Sequence, residues 1–219
     1  MREHKARAVY AQLRDDLIAG VYEPGSHLSE NQVSARYGVS RTPAREALSR
    51  LEHVGLIDRV GTALVVAAPT VEEVLDLFDA RTLLETAIAR YAAERRREGD
   101  LVVLHATVGR EQALKENDVP ERYFANRAFH EALSRAAHNN VLADQQRQLD
   151  LRVAALRTTT LASRKRWREA LEQHRAIVAA VELGDVEAAA SAAEQHMRDA
   201  RQRWRDLLYR GLVPGLTTV

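Results

Sequence analysis

The sequence predicts a mainly α-helical fold in two domains, which we place at residues 1–68 and 69–219. Glycine and proline interrupt the first seventy residues repeatedly, whereas Ala, Leu, Glu and Arg dominate the chain beyond Pro69. Apolar residues recur there at helical spacing, and the alternation typical of strands is confined to one stretch of the first domain. We therefore expect a small domain of helices and a hairpin, followed by an all-α antiparallel bundle of about six helices.

The first domain is expected to hold three helices followed by a β-hairpin. Helical spacing, with a glycine close after each segment, indicates helices at residues 4–19, 30–37 and 41–53. Between the first two, VYEPGSHL is predicted to be a turn, and LIDRVGTALVVA reads as two strands joined at Gly61 and Thr62. This order is that of a winged helix-turn-helix, a fold that binds double-stranded DNA.

The second domain contains six segments of helical spacing separated by short breaks. Asn, Asp, Pro, Thr, Ser and Gly residues supply the breaks. The segments cover residues 70–97, 100–116, 120–137, 140–160, 164–182 and 186–210. Thr70 can cap the first of them, and the tail after Gly211 is predicted to be a loop.

The stretch GVSRTPAREALSRLEHVGLID places basic side chains at the start of the third helix. Ser40 or Thr42 can cap that helix, and Pro43 is tolerated in its first turn because no intrahelical N–H is needed there. Arg41, Thr42 and Arg45 then face outward, opposite an apolar face. Arginine at this end can bond guanine in the major groove, and hydroxyl groups suit phosphate oxygens. The alternative is a solvated arginine face, but the agreement of helices, turn and hairpin favours DNA binding.

Three histidines of the second domain are candidate metal ligands. His130, His174 and His196 each share a helical face with apolar residues, so we expect all three imidazoles to point into the bundle. Asn126 lies four residues before His130, where its side chain can reach the same ion. Each histidine alone is more simply explained as a hydrogen-bonded core residue, whereas the trio with Asn126 favours a site.

Arg81 interrupts an apolar stripe in the first helix of the second domain, and a buried guanidinium needs an anionic partner. If Arg81 has a structural role, its anionic partner is Glu85, four residues further along the helix. If it has a functional role, the partner is a carboxylate effector. Arg152 and Arg157 are further candidates for contacting such a carboxylate. Of these residues, we expect Arg81 and Arg152 to bind the effector.

Composition narrows the class of protein further. The formal net charge is +1, so nucleic-acid binding has to come from a local basic face. Cysteine is absent, which excludes disulfides and thiolate metal sites. No apolar run reaches the roughly 18 residues of a membrane span, and the N-terminus lacks a signal-peptide core. We expect a cytoplasmic protein that does not contact membranes.

The segment PGSHLSENQVSARYGVSRTPAREALSRLEHVGLI closely resembles the DNA-binding domain of the GntR family of bacterial transcription regulators. The resemblance covers residues 5–68 and implies DNA contacts from Arg41, Thr42 and Arg45, with Gly61 at the tip of the wing. Many relatives carry an arginine at the position that Asn31 holds here. Asn31 can still bond a base or a phosphate, with one charged contact fewer.

Three segments of the second domain look like the FCD effector domain of the FadR branch: DARTLLETAIARYAA, NRAFHEALSRAAHNN and LEQHRAIVAAVELGDVEAAASAAEQHM. This resemblance implies a divalent ion held by an Asp or Asn and three histidines, here Asn126, His130, His174 and His196. Zinc is the leading expectation, with nickel and manganese as alternatives. Where relatives commonly carry aspartate, the neutral amide of Asn126 would hold the ion more weakly and leave it a stronger pull on an anionic effector.

Together these features predict a ligand-responsive regulator, in the mode of a repressor, that binds a palindromic operator as a homodimer. A small organic acid would enter the metal site and shift the protein between two states. One alternative is a metal-dependent enzyme that activates water, but Glu131 and Glu194 are turned away from the histidine faces and no HExxH pattern occurs. We therefore expect no enzymatic activity. A second alternative, a sensor for which the ion itself is the signal, would use the same residues.

Overall fold

The structure is a computed structural model and describes residues 2–115, 118–156, 158–213 and 215–216. Within these ranges it is mainly helical, as predicted, with nine α-helices and three short strands. The chain separates into two compact units. One comprises the residues up to Glu73, Gln148–Thr158 and the segment from Gly211, and the other comprises Val74–Arg147 and Thr159–Arg210.

The first unit contains the predicted winged helix-turn-helix. Its elements are α1 (Arg2–Ile18), β1 (His27–Leu28), α2 (Glu30–Tyr37), α3 (Arg41–His53), β2 (Ile57–Val60) and β3 (Ala63–Val66). Apolar side chains from the helices and the hairpin form one core, which includes Val9, Leu13, Leu17, Val33, Leu48, Leu51, Ile57 and Val66. Each large aliphatic side chain buried in this way contributes roughly 1.5–3 kcal/mol. The core therefore holds α3 firmly by its apolar face.

Short-range interactions define the ends of α2 and the hairpin turn. The side-chain oxygen of Ser29 accepts a hydrogen bond from the backbone N–H of Gln32 at 3.2 Å, which satisfies a donor at the start of the helix. Gly38 ends the helix in the left-handed conformation, at φ +64°. Gly61 has φ +62° in the turn between β2 and β3. These ends lie where the sequence predicts them.

β1 is a difference from the sequence prediction, which treats VYEPGSHL as a turn only. His27 and Leu28 pair antiparallel with Val65 and Leu64, and the sheet has the order β1-β3-β2. A strand of two residues carries almost no periodic signal of its own. It is stabilised by a partner strand that is distant in the sequence, because strand formation depends on its neighbours more than on intrinsic propensity.

Six helices follow the hairpin. They are α4 (Val71–Arg95), α5 (Glu98–Ala113), α6 (Val119–Ala136), α7 (Asn140–Ala155), α8 (Arg164–Leu183) and α9 (Val186–Tyr209), with a 3₁₀ turn at Thr160–Ala162. They form the helical second unit, apart from the first residues of α4 and the last part of α7, which group with the first unit. None of the helices in the described ranges is both long and apolar enough to cross a membrane.

Two helix ends in this region differ from the sequence prediction. The predicted break at Gly99 and Asp100 lies instead at residues 96–97, because the carboxylate of Asp100 accepts the backbone N–H of Arg97 at 2.8 Å and caps α5. α7 ends at Ala155, whereas the sequence predicts helix to residue 160. The loop predicted around Asn117 lies partly outside the described residues.

Candidate metal centre and nucleic-acid interface

The outer side of α3 carries the predicted DNA contacts. Arg41, Thr42 and Arg45 are exposed on its first two turns. The opposite face is buried and consists of Pro43, Ala44, Ala47, Leu48 and Leu51. Ser40 occupies the N-cap position without a side-chain capping bond, which leaves its hydroxyl available to a phosphate. The buried face therefore holds α3 in place, and the exposed face at its N-terminal end is open to a partner.

The two arginines of this surface differ in their contacts. The guanidinium of Arg45 donates two hydrogen bonds to the carboxylate of Glu30, from Nε to one oxygen at 2.6 Å and from Nη2 to the other at 3.1 Å. Arg41 makes no side-chain hydrogen bond or ion pair within the described residues. Asn31, next to Glu30 on α2, and Gly61 at the tip of the hairpin are both exposed. Arg45 is thus pre-oriented, whereas Arg41 is available to DNA without breaking an existing bond.

In the second unit, the structure brings the three predicted histidines together. His130 of α6, His174 of α8 and His196 of α9 are all buried, and each offers a ring nitrogen within 4.8 Å of those of the other two. The ring centroids of His174 and His196 are 4.7 Å apart, and His130 lies 5.3 Å from His174. His174 also stacks on Phe129, with the ring centroids 3.8 Å apart. Three imidazoles converging from three helices form a geometry that suits one metal ion.

Each histidine is hydrogen-bonded through Nδ1 to an acceptor from the surrounding helices. For His130 the acceptor is Glu85 at 3.1 Å, for His174 it is Glu111 at 2.8 Å, and for His196 it is the amide oxygen of Gln173 at 2.9 Å. Where the partner oxygen accepts, Nδ1 carries the proton and Nε2 is the nitrogen that would bind a metal ion, an arrangement that outer residues of metal sites commonly impose. For His174 this requires the charged form of Glu111.

The buried Nε2 atom of His174 shows that the cluster suits a metal ion. This nitrogen has no hydrogen-bond partner, although buried polar atoms are normally satisfied. A neutral imidazole whose Nδ1–H is donated to Glu111 presents an unshared electron pair at Nε2. A metal ion is one partner that suits such an atom.

Burial controls the charges around the cluster. It lowers the pKa of His174 and of His196 well below their usual value, so both rings stay neutral, the form that binds metal. Burial pushes the pKa of Glu85 upward, but His130 and Arg81 outweigh this effect and hold it below its usual value. Burial also raises the pKa of Glu111 to about 8. A cation bound at the histidines would favour the charged form of Glu111.

The other predicted site residues lie in different surroundings. Asn126 is half-buried on α6, one turn before His130. Arg81 is nearly buried, with Nη2 3.5 Å from Glu85, and so lies beside the cluster. Arg152 belongs to the first unit, where its guanidinium packs over Gly55. Its role in effector binding stays a prediction. Arg157 lies outside the described residues.

Sequence reasoning missed the residues that support the histidines. Glu111 is fully buried on α5, and Gln173 precedes His174 on α8. A signal for Glu111 exists, because it continues the helical spacing of buried Leu104 and Val108 and is a carboxylate on an apolar face. Gln173 carries no such signal, since its role depends on α9 packing against α8.

Glu111→Gln is expected to weaken metal binding roughly 10- to 100-fold, because the neutral amide polarises His174 less than a carboxylate does. Competition with a chromophoric chelator measures this affinity directly. Glu98→Gln, an exposed change on the same helix, is the matched control. Equal affinity of the Glu111 variant and the wild-type protein would show that Glu111 does not support a ligand.

Two family models match the chain. The model described as "Bacterial regulatory proteins, gntR family" matches residues 5–63, and the model described as "FCD domain" matches residues 76–199. The second match includes all three histidines of the cluster, and the first includes the whole of α3.

The chain is also similar to individual proteins, including named transcription regulators. The "Uxu operon regulator" of Haemophilus influenzae is 29% identical over 216 residues, which cover 89% of this chain and 80% of that protein. The "HTH-type transcriptional repressor RspR" of Escherichia coli is 27% identical, over 91% of this chain and 88% of the relative. Among solved structures, Escherichia coli McbR/YncC aligns with 95% of this chain and 98% of its own, with a TM-score of 0.72 and 23% identity. That structural likeness supports the fold alone.

Proposed function

The chain belongs to the GntR family of bacterial regulatory proteins and carries an FCD domain, and from this premise we propose that it is a ligand-responsive transcriptional repressor. It binds a palindromic operator as a homodimer, and a small organic acid at the metal site of the helical unit changes its affinity for DNA. The observation that carries the proposal is the exposed first turn of α3, with Arg41, Thr42 and Arg45 presented above a fully buried face.

Recognition of DNA follows from this surface. Arg41 and Arg45 bond the edges of bases, and Ser40, Thr42 and Asn31 bond phosphate oxygens and so set the register of the helix in the groove. Gly61 lets the tip of the hairpin approach the sugar-phosphate backbone closely, since it has no side chain. In a homodimer, two such helices enter successive major grooves about 34–36 Å apart, which requires an inverted repeat in the operator.

The metal centre is proposed to hold zinc, with nickel and manganese as alternatives. His130, His174 and His196 would hold the ion through ring nitrogens, and Asn126 would supply a fourth ligand through its side-chain oxygen. Imidazole nitrogens suit zinc, and nickel accepts the same donor set. When bound, the ion supplies a Lewis-acidic position for an oxygen of the effector. The helices around the cluster hold the rings and exclude water from it.

An acidic effector suits the charges around this centre. The buried or nearly buried guanidinium groups of Arg81, Arg122 and Arg166 outnumber the buried carboxyl groups of Glu85 and Glu111. The charge of a divalent ion on neutral ligands would then be uncompensated, and an anion is the favoured additional ligand. Because it acts on bacterial DNA, we place the protein in the cytoplasm. The effector acts by binding two states of the protein unequally, which shifts the population between them.

The enzyme alternative is disfavoured by the positions of its candidate bases. Glu131 is exposed and paired with Arg135, and Glu194 is paired with Arg198 on the outside of α9. Neither carboxylate faces the histidines. The curated relatives described above are transcriptional regulators, which agrees with the expectation of no enzymatic activity.

Selection of duplexes from a random pool by the full-length, metal-loaded protein tests the proposal. We expect enrichment of an inverted repeat whose half-sites are about one helical turn apart. Enrichment of a single unrepeated half-site would contradict the homodimer. A pool that stays random at low salt would contradict sequence-specific DNA binding. The enriched duplex then serves as the operator in the experiments below.

A further inference from the structure

Arg166, in the first turn of α8, is a buried cation that the predicted site does not use. Its side chain is only 3% exposed. Nη1 donates a hydrogen bond to the amide oxygen of Gln173 at 3.1 Å, and the buried Nε has no acceptor. Arg166 forms no ion pair with a carboxylate within the described residues. Burying a charge without a contacting counterion is costly, and burial accordingly lowers the pKa of this guanidinium.

The guanidinium lies beside the metal cluster. The oxygen of Gln173 that accepts from Arg166 is also the acceptor for Nδ1 of His196, so one atom joins the cation to a proposed ligand. Arg166 also lies two helical turns before His174 on α8, on the same face. Its charge is one of the causes that lower the pKa of both histidines.

Other buried arginines of this unit have different surroundings. Arg81 lies against Glu85, and Arg122 donates to the backbone carbonyl of Leu161 and packs over Trp167. The carboxylates of Glu169 and Asp199 offset part of the charge of Arg166 without forming an ion pair with it, and Asp199 is joined to it through Gln173, whose Nε2 donates to that carboxylate at 2.6 Å. An amide oxygen does not neutralise a guanidinium. The position is thus suited to a counterion that the protein itself does not supply.

We propose that Arg166 binds the anionic group of the effector, a carboxylate or a phosphate, next to His196. The Nε–H that lacks an acceptor is one of the two donors with which a guanidinium grips a carboxylate in a fork. This inference rests on the proposed function, since it assumes that an effector enters this centre. The inference adds Arg166 to the proposed site as the residue that makes it prefer acidic effectors over neutral ones.

The test measures thermal unfolding of the full-length, metal-loaded protein without DNA, in acetate, succinate, citrate and inorganic phosphate at constant ionic strength. At a saturating concentration, at least one anion is expected to raise the midpoint temperature of unfolding of the wild-type protein by on the order of 5 °C. Arg166→Met should abolish this rise and keep the metal content. Without anion it should be as stable as the wild type or more stable, because an unmatched buried charge is removed.

Arg175→Met is the matched control, since it removes an exposed arginine from the same helix and should retain the full anion response. The proposal is overturned if no anion stabilises the wild-type protein, or if the Arg166 variant responds like the wild type. It is also overturned if that variant loses its metal, or unfolds at a lower temperature without anion, because Arg166 would then be structural. No DNA is involved, so failure of this test and failure of operator binding are separate results.

Discussion

Arg41→Ala is expected to lower affinity for the selected operator by roughly 5- to 150-fold, the effect of losing one bidentate contact worth about 1–3 kcal/mol. Thermal stability should stay unchanged, because Arg41 is exposed and its side chain makes no hydrogen bond within the described residues. Titration with fluorescent operator at fixed salt measures the affinity. Selectivity should relax at the base pair that Arg41 contacts, so a set of single-base operator variants locates it.

Arg45→Ala is the companion variant, and it differs from Arg41→Ala in one respect. It leaves the carboxylate of Glu30 without its partner on the same surface, so charge repulsion from the DNA adds to the lost contact. Arg127→Ala, an exposed change in the second unit, controls for the loss of one positive charge. If both α3 variants bind the operator like this control, α3 is not the recognition helix.

His174→Ala is expected to reduce bound metal from about one ion per chain to a trace, because a buried three-histidine site loses a ligand. Elemental mass spectrometry on protein purified without chelators measures the content. His174 is fully buried and stacked on Phe129, so the alanine variant also creates a cavity and loses stability. His174→Gln retains a donor for Glu111 and fills more of that space, and it should lose the metal while remaining folded.

His105→Ala serves as the control, since His105 is exposed and lies 3.3 Å from Glu182 on the surface. Metal content equal to that of the wild type in both His174 variants would contradict the metal centre. Absence of metal from the wild-type protein in every preparation would recast the histidines and Asn126 as hydrogen-bonding partners of a ligand or as core residues. The DNA-binding proposal would be unaffected.

The winged helix-turn-helix could be predicted almost completely, because short-range interactions define its elements. Ser29 caps a helix through a neighbour three residues away, and Gly38 and Gly61 adopt backbone conformations that few other residues tolerate. The two helices of the motif and the hairpin follow from these local features. Only β1 was not predicted, since its two residues are ordered by pairing with a strand that is distant in the sequence.

The histidine cluster of the candidate metal centre could be predicted in part. Helical periodicity alone indicates that His130, His174 and His196 face the interior of the bundle. It does not indicate which side chains from other helices support them. Glu85, Glu111 and Gln173 acquire that role because α4, α5 and α8 pack around the rings. The sequence also grouped Arg152 with the site; its guanidinium packs over Gly55, and its role in effector binding stays a prediction.

The sequence by itself therefore determined the class of fold, the exposed arginines of α3 and the identity of the inward-facing histidines. Each of these depends on residue type and on spacing within a single helix or turn. Only the tertiary structure decided which groups the imidazole nitrogens contact, which carboxyl groups are buried beside the rings, and that Arg166 lacks a contacting counterion. The physical reason is that charge burial and hydrogen-bond satisfaction are properties of several helices packed together, and no pattern along one helix records them.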